Sequence, residues 1–317
     1  MFLEDSAVLS NVNIGGGKYL LKIASQTAIK AAKAGQFFMI KCKSEYFTLR
    51  RPISLHYANT KTNILEFYYE VKGKGTKDLS SFEFGDKIEI HGPLGNGFST
   101  NIVGKEILVV GGGMGIAPMK QLISILKGTN KITFVAGGRD FSAIKILESF
   151  DLEGISTFVT TDDGSIGLRG SVVSKVSSLL EEKKYDSIYV CGPHVIMDII
   201  GKLAIEKNIF CEVSLESRMA CGVKACVGCS ILTTYGMKKV CHDGPVFDAT
   251  SVINVRPIEN TTACEISFPD NEEKKEQENK EEKNKEEKNK EQKIDNKKLE
   301  KKKIEKKKTD KKKKGVK

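Results

Sequence analysis

EILVVGGGMGIAPMKQLISILK, residues 106–127, decides the fold. Ile107 to Val110 form an unbroken apolar run, as in a strand buried on both faces of a parallel sheet. The run flows into Gly111-Gly112-Gly113-Met114-Gly115-Ile116-Ala117-Pro118 and then an amphipathic helix over 119–127. Strand, glycine loop and helix in that order form the geometry that sets a pyrophosphate on a helix N-terminus. The loop is not G-x-G-x-x-G, so a standard Rossmann site is not implied. Pro118 falls near the first helical position, where its missing N–H costs nothing.

Three further strand-like runs, 131–136, 156–160 and 187–191, alternate with helical patterns near 144–150, 172–180 and 194–206. That alternation predicts right-handed βαβ units and a parallel sheet. The loops at the strands' carboxyl ends, 111–115, 137–140, 161–164 and 191–194, are then expected to form a cofactor crevice. Cys191 ends a strand in Val190-Cys191-Gly192-Pro193, where a buried structural thiol is the commoner fate.

Upstream, short runs rich in β-branched and aromatic residues (19–23, 36–42, 64–71, 87–91) are separated by Gly, Asn, Lys and Asp clusters. They predict a sandwich or small barrel, with residues 1–9 as a first strand. Within it, Arg50-Arg51-Pro52-Ile53-Ser54 presents an arginine fork and a hydroxyl from a rigid extended segment. Taken alone, it reads more simply as an edge strand with a surface charge. Tyr68-Tyr69-Glu70-Val71-Lys72-Gly73-Lys74-Gly75-Thr76 leaves a strand for a helix expected over 78–84. Its G-x-G-T cradles phosphate or is an ordinary turn with Thr76 as N-cap. His91 reads as a strand-end histidine, and residues 92–98 as a glycine-rich connector between domains.

Half of the eight cysteines lie between residues 217 and 247, with Cys221, Cys226, Cys229 and Cys241 spaced C-x4-C-x2-C-x11-C. The first two gaps are those of a plant-type [2Fe–2S] loop. Structural zinc sites usually pair two short knuckles, and only Cys226 and Cys229 form one, so iron–sulfur is favoured over zinc. Disulfides are disfavoured because no secretory signal precedes the chain. Cys42, Cys211 and Cys264 read as packing residues.

The net charge of +10 resembles a nucleic-acid signal, but 21 Lys and 13 acidic residues sit in 271–317, which leaves only +2 on residues 1–270. This rules against a basic binding face on the body. The Lys/Glu-rich stretch has too few apolar residues to offset ordering entropy and is expected to be disordered. No apolar run approaches membrane-spanning length. A cytoplasmic protein is expected.

Together these motifs resemble the electron-transfer subunits of class 1B dihydroorotate dehydrogenase, within the ferredoxin–NADP reductase-like superfamily. The resemblance rests on Arg51-Pro52-Ile53-Ser54, Gly73-Lys74-Gly75-Thr76, the loop 111–118, Cys191-Gly192-Pro193, Glu216-Ser217-Arg218-Met219-Ala220-Cys221-Gly222 and Cys241-His242-Asp243-Gly244-Pro245-Val246-Phe247. It covers residues 1 to about 255. It implies an antiparallel FAD-binding β-barrel over 1–98, a nicotinamide-binding α/β domain over 99–212 and a [2Fe–2S] segment over 213–256. A linker (257–270) and the tail (271–317) would follow.

By the same resemblance Arg51, Pro52, Ile53 and Ser54 would hold FAD, with Tyr68, Tyr69, Glu70, Gly75 and Thr76 lining the rest of it. Ile53 departs from the aromatic residue that many relatives carry there. Gly111, Gly112, Gly113, Gly115, Pro118, Gly192 and Pro193 would bind NAD, Cys191 would lie near the hydride-transfer position, and Cys221, Cys226, Cys229 and Cys241 would ligate the cluster. Electrons would pass from the FMN of a catalytic dihydroorotate dehydrogenase subunit, in a two-plus-two heterotetramer, through [2Fe–2S] and FAD to NAD+. Arg139 could pair with a 2′-phosphate and Asp140 beside it would oppose that; the resemblance implies NAD rather than NADP. Two alternatives stand: a related reductase serving ferredoxin, sulfide or an oxygenase, and a zinc-stabilised nucleic-acid binder.

Overall fold

The computed structural model describes residues 1–253. Six antiparallel strands close the first barrel: β1 (Phe2–Gly15), β2 (Lys18–Ala24), β3 (Phe37–Ile40), β4 (Arg51–Asn59), β5 (Ile64–Glu70) and, after helix α1 (Lys74–Leu79), β6 (Lys87–Leu94), in the order β1-β2-β5-β4-β3-β6. Period-two alternation turns Leu21 and Ile23, Leu65 and Phe67, and Ile88 and Ile90 inward, and α1 adds Leu79 to the same core.

Four expectations shift here. The first strand runs to Gly15 rather than residue 9, because it pairs with β2 as well as β6. The Arg51-Pro52 segment is neither an edge nor a bare rigid stretch but β4, hydrogen-bonded to β3 and β5. The helix expected over 78–84 starts at Lys74 instead. Thr76 is therefore not its N-cap; Gly73 is, and the Thr76 hydroxyl accepts from the N–H groups of Lys72 (2.9 Å) and Gly73 (3.2 Å).

The second half is an α/β unit with strands β7 (Glu106–Gly112), β8 (Lys131–Gly138), β9 (Ser156–Thr161), β10 (Leu168–Arg169), β11 (Ser187–Cys191) and β12 (Phe210–Ser214). Its helices are α2 (Met119–Leu126), α3 (Phe141–Ile144), α4 (Val172–Glu182) and α5 (His194–Glu206). The helix expected over 144–150 is split into α3 and a 3-10 turn, Lys145–Ser149. Leu108 and Val110 face α4 and α5, whereas Ile107 and Val109 face α2, so β7 is buried on both sides.

Beyond β12 come a hairpin, β13 (Ser230–Thr233) and β14 (Gly236–Lys239), short helix α6 (Val240–Asp243), strand β15 (Val246–Asp248) and helix α7 (Ala249–Val252). The sheet order is β10-β9-β8-β7-β11-β12-β15, parallel except for β15. A boundary at residue 212 would cut β12, and β15 draws the cysteine-bearing segment into the sheet. No helix among the described residues is long and apolar enough to cross a membrane. Cys264, the linker and the charged tail lie outside the described residues.

Candidate functional site

The chain order reverses between β7 and β11, which is where an open α/β sheet leaves a crevice at its carboxyl ends. A cleft of about 450 Å³ opens there, lined by the loops after β7, β8, β9 and β11, including Gly112, Gly113, Gly115, Arg139, Asp140, Gly192 and Pro193. Gly111 and Pro118 line neither this cleft nor its neighbour; Gly111 ends inside the sheet register opposite Cys191.

The neighbouring cavity, about 230 Å³, lies against the barrel. Pro52, Ile53 and Ser54 of β4 and Tyr68, Tyr69 and Glu70 of β5 form one side; Met114, Ala117, Cys191, Glu216 and Met219 form the other. Glu70, Lys72, Met114 and Glu216 line both cavities, so the two spaces meet. Lys72, Met114 and Glu216 were missed as site residues although each sits inside a motif that the sequence singles out. The signal was that membership alone.

A planar, mostly apolar group with polar edges suits the barrel-side cavity. The Tyr68 hydroxyl is buried without a hydrogen-bond partner, a polar atom awaiting one. Burial pushes its phenol well above the usual range, so it stays a donor. Arg51 and Gly75, like Gly111 and Pro118, line neither cavity; the Arg51 guanidinium lies directly against Gly75, next to Thr76 of the barrel-side lining, where a Cβ would overlap it. It donates to Leu49 O at 2.6 Å and stacks 5.5 Å from the centre of the Phe47 ring. A fixed arginine fork beside Thr76 fits a diphosphate.

Cys191 is buried, and desolvation, reinforced by Glu216, pushes its thiol up to about 12. It meets the cavity as a small neutral group rather than a thiolate nucleophile.

Cys221, Cys226 and Cys229 lie in the loop between β12 and the hairpin, and Cys241 lies in α6 just after it. Cys229 and Cys241 are buried, and Cys221 and Cys226 half-buried. Burial raises the Cys221 thiol, but N–H groups of Cys226, at 3.3 Å, and Val223, at 3.5 Å, aim at its sulfur and bring it down to about 7. Burial, with Cys229 beside it, raises Cys241 to about 11. Four thiols with backbone donors turned toward sulfur form a donor set for an iron–sulfur cluster. Among the described residues no three such side chains are drawn in to the spacing of a bound single ion.

Gly222 has φ +68°, and a Cβ there would press on Met39 of β3 at 2.6 Å. The loop therefore sits on the barrel strand that pairs with β4. Asn96 fastens its far side, donating from its backbone N–H to Gly244 O at 2.6 Å and from its side chain to Asp243 O at 3.0 Å.

Among known proteins, the chain is 38% identical over 251 residues to the dihydroorotate dehydrogenase B (NAD(+)) electron transfer subunit of Caldanaerobacter subterraneus, covering 78% of this chain and 96% of that one. The subunit of the same name from Listeria innocua is 38% identical over 263 residues, covering 80% and 99%. The chain belongs to this family of electron transfer subunits.

The iron–sulfur cluster binding domain of dihydroorotate dehydrogenase B matches residues 216–253, which begin at Glu216 and take in all four clustered cysteines. Of solved structures, the NADH-dependent reduced ferredoxin–NADP oxidoreductase studied for flavin-based electron bifurcation superposes with a TM-score of 0.71 at 30% identity, covering 78% of this chain and 89% of that one. A ferredoxin NADP+ reductase from Neisseria gonorrhoeae, with bound FAD and NADP, shares the fold at TM-score 0.55 and 15% identity, covering 64% and 91%.

Proposed function

We propose that this chain takes electrons from an FMN-bearing catalytic subunit that oxidises dihydroorotate to orotate, and delivers them to NAD+, holding FAD and a [2Fe–2S] cluster as resident groups. The observation that carries this reading is the junction of the two cavities at Glu70, Lys72, Met114 and Glu216, with the cysteine loop seated through Gly222 on the barrel beside them. Family membership supplies the reaction.

A bound flavin exchanges electrons singly with an iron–sulfur centre and in pairs with a nicotinamide. The chain's own task is to bind, orient and keep dry. Arg51 and Thr76 would hold the flavin diphosphate, and the Ser54 and Tyr68 hydroxyls the polar edge of its ring. Phe37, Ile53, Leu215 and Met219 give the cavity apolar walls that exclude water. The glycine loop after β7, with Gly192 and Pro193, would seat NAD, and Cys191 would present an uncharged thiol beside its nicotinamide. The thiols of Cys221, Cys226, Cys229 and Cys241 would hold the cluster.

In this reading residues 1–98 serve FAD, the α/β unit from residue 99 through β12 serves NAD and the segment beyond Ser214 serves the cluster. The partner docks on the cysteine face, where Val223, Val227, Tyr235 and Met237 are exposed, and the assembly is two plus two in the cytoplasm. Protein purified without oxygen, together with its co-expressed partner, tests this. Equal iron and sulfide, bound FAD and dihydroorotate-dependent NADH formation are expected. Zinc without flavin absorbance, or rapid ferredoxin reduction with no dihydroorotate-linked activity, would refute it.

A further inference from the structure

His56 is buried, titratable and unused by the chemistry above. Strand β4 pairs Leu55 with Phe67 and next Tyr57 with Glu66, so two steps along β4 answer one along β5 and His56 is the extra residue of a bulge. Ile53 and Leu55 lie in the barrel core before it, and Ala58 resumes the inward positions one residue late. Bulges re-aim side chains, often beside active sites. Alternation from Ile53 and Leu55 already points the His56 ring out of the barrel, into the seam with the α/β unit, and the bulge keeps Tyr57 out of the core as well. In the seam His56 is 0% exposed, its ring centre 5.9 Å from Tyr68 and 5.5 Å from Phe150.

Its hydrogen bonds fix the tautomer. Nδ1 lies 2.7 Å from Ala117 O, and a carbonyl only accepts, so Nδ1 carries the proton and donates. Nε2 then accepts from the Ser149 hydroxyl at 3.3 Å. One ring thus joins β4, two residues beyond Ser54, to the residue that ends the glycine loop. Ala117 and Met114 of that loop line the barrel-side cavity, and Met114 lines the other cleft as well.

We propose that His56 is a positioning residue: its ring fixes the Met114–Ala117 turn against the barrel and so sets the approach of nicotinamide to flavin. The inference rests on the flavin–nicotinamide reading given above. Its test is anaerobic stopped-flow reduction of the bound FAD by NADH in the purified holoprotein, comparing wild type with His56→Leu, His56→Asn and His56→Gln. Asn keeps a donor where Nδ1 stood, Leu keeps volume without one, and Gln carries its donor farther out.

At saturating NADH, His56→Leu should slow flavin reduction about tenfold at unchanged flavin content, as expected for a misplaced near-attack geometry. The NADH concentration for half-maximal rate should move little, and His56→Asn should recover most of the rate. Wild-type speed in His56→Leu, or equal slowing in Leu and Asn, overturns the proposal. If His56→Leu does not fold, His56→Gln decides: a slow rate with full flavin supports it, and a wild-type rate overturns it. A wild-type protein without FAD refutes the cofactor reading itself, and this one with it.

Discussion

At Gly75 one added methyl group meets the Arg51 guanidinium, with no backbone freedom at issue. Gly75→Ala should push the arginine from its place between Phe47 and α1 and weaken FAD binding about tenfold, or about 1.4 kcal/mol. Titrating the deflavinated protein with FAD reads this directly. Unchanged affinity would mean that Arg51 does not hold the diphosphate.

His56 supplies a second prediction at this scale. Burial, with Lys120 adding to it, lowers its pKa from 6.5 to about 3. Between those values the unfolded chain binds a proton that the folded one does not, so stability is whole above pH 6.5 and is lost as pH falls toward 3. This one group contributes a slope of up to about 1.4 kcal/mol per pH unit. Thermal unfolding from pH 7 to pH 4 should therefore fall more steeply for wild type than for His56→Asn, and parallel curves would contradict the assignment.

Among the elements, β7, β8 and β11 were legible because each is a largely apolar run closed by glycine, as in a strand buried on both faces, whereas β9 (Ser156–Thr161) was legible from its β-branched and aromatic residues. The cysteine loop was legible from spacing alone. Strand β4 was not. It opens on Arg51-Pro52, which reads as an edge, and its bulge at His56 breaks the alternation that would have marked it. Strand β12 was also missed, since Phe210-Cys211-Glu212-Val213-Ser214 places a carboxylate in the sheet. Glu212 is tolerated there because Ser99 donates to it from its backbone N–H at 2.8 Å and its hydroxyl at 2.7 Å, a partner 113 residues away that no local pattern reveals. The junction of the cavities was equally hidden, because Glu70 and Glu216 come to line the same two spaces only through tertiary folding. For the loop itself, Gly222→Ala combines a left-handed backbone, costing about 1–2 kcal/mol, with a clash on Met39. Iron and sulfide per chain should fall while FAD content holds; a full cluster complement would show that the loop has other ways to sit on β3.

Across the whole molecule, the flavin and cluster sites proposed above would occupy separable parts of one body. Cys226→Ser should strip iron and abolish dihydroorotate-dependent NADH formation with the catalytic subunit. It should leave bound FAD and NADH oxidation by ferricyanide near wild type, since neither cavity is lined by that cysteine. Loss of both activities together would place the cysteine loop in the hydride step.

The antiparallel β15 lies beyond all four clustered cysteines and pairs with β12 before them, so the loop is anchored at both ends by sheet hydrogen bonds that owe nothing to iron. A cell short of iron would then accumulate correctly shaped copies with an empty loop rather than degraded ones. On the function proposed above, such copies would compete for the catalytic subunit as silent insulators, so that dihydroorotate-linked NADH formation would dim in proportion to the unloaded fraction instead of failing at a threshold.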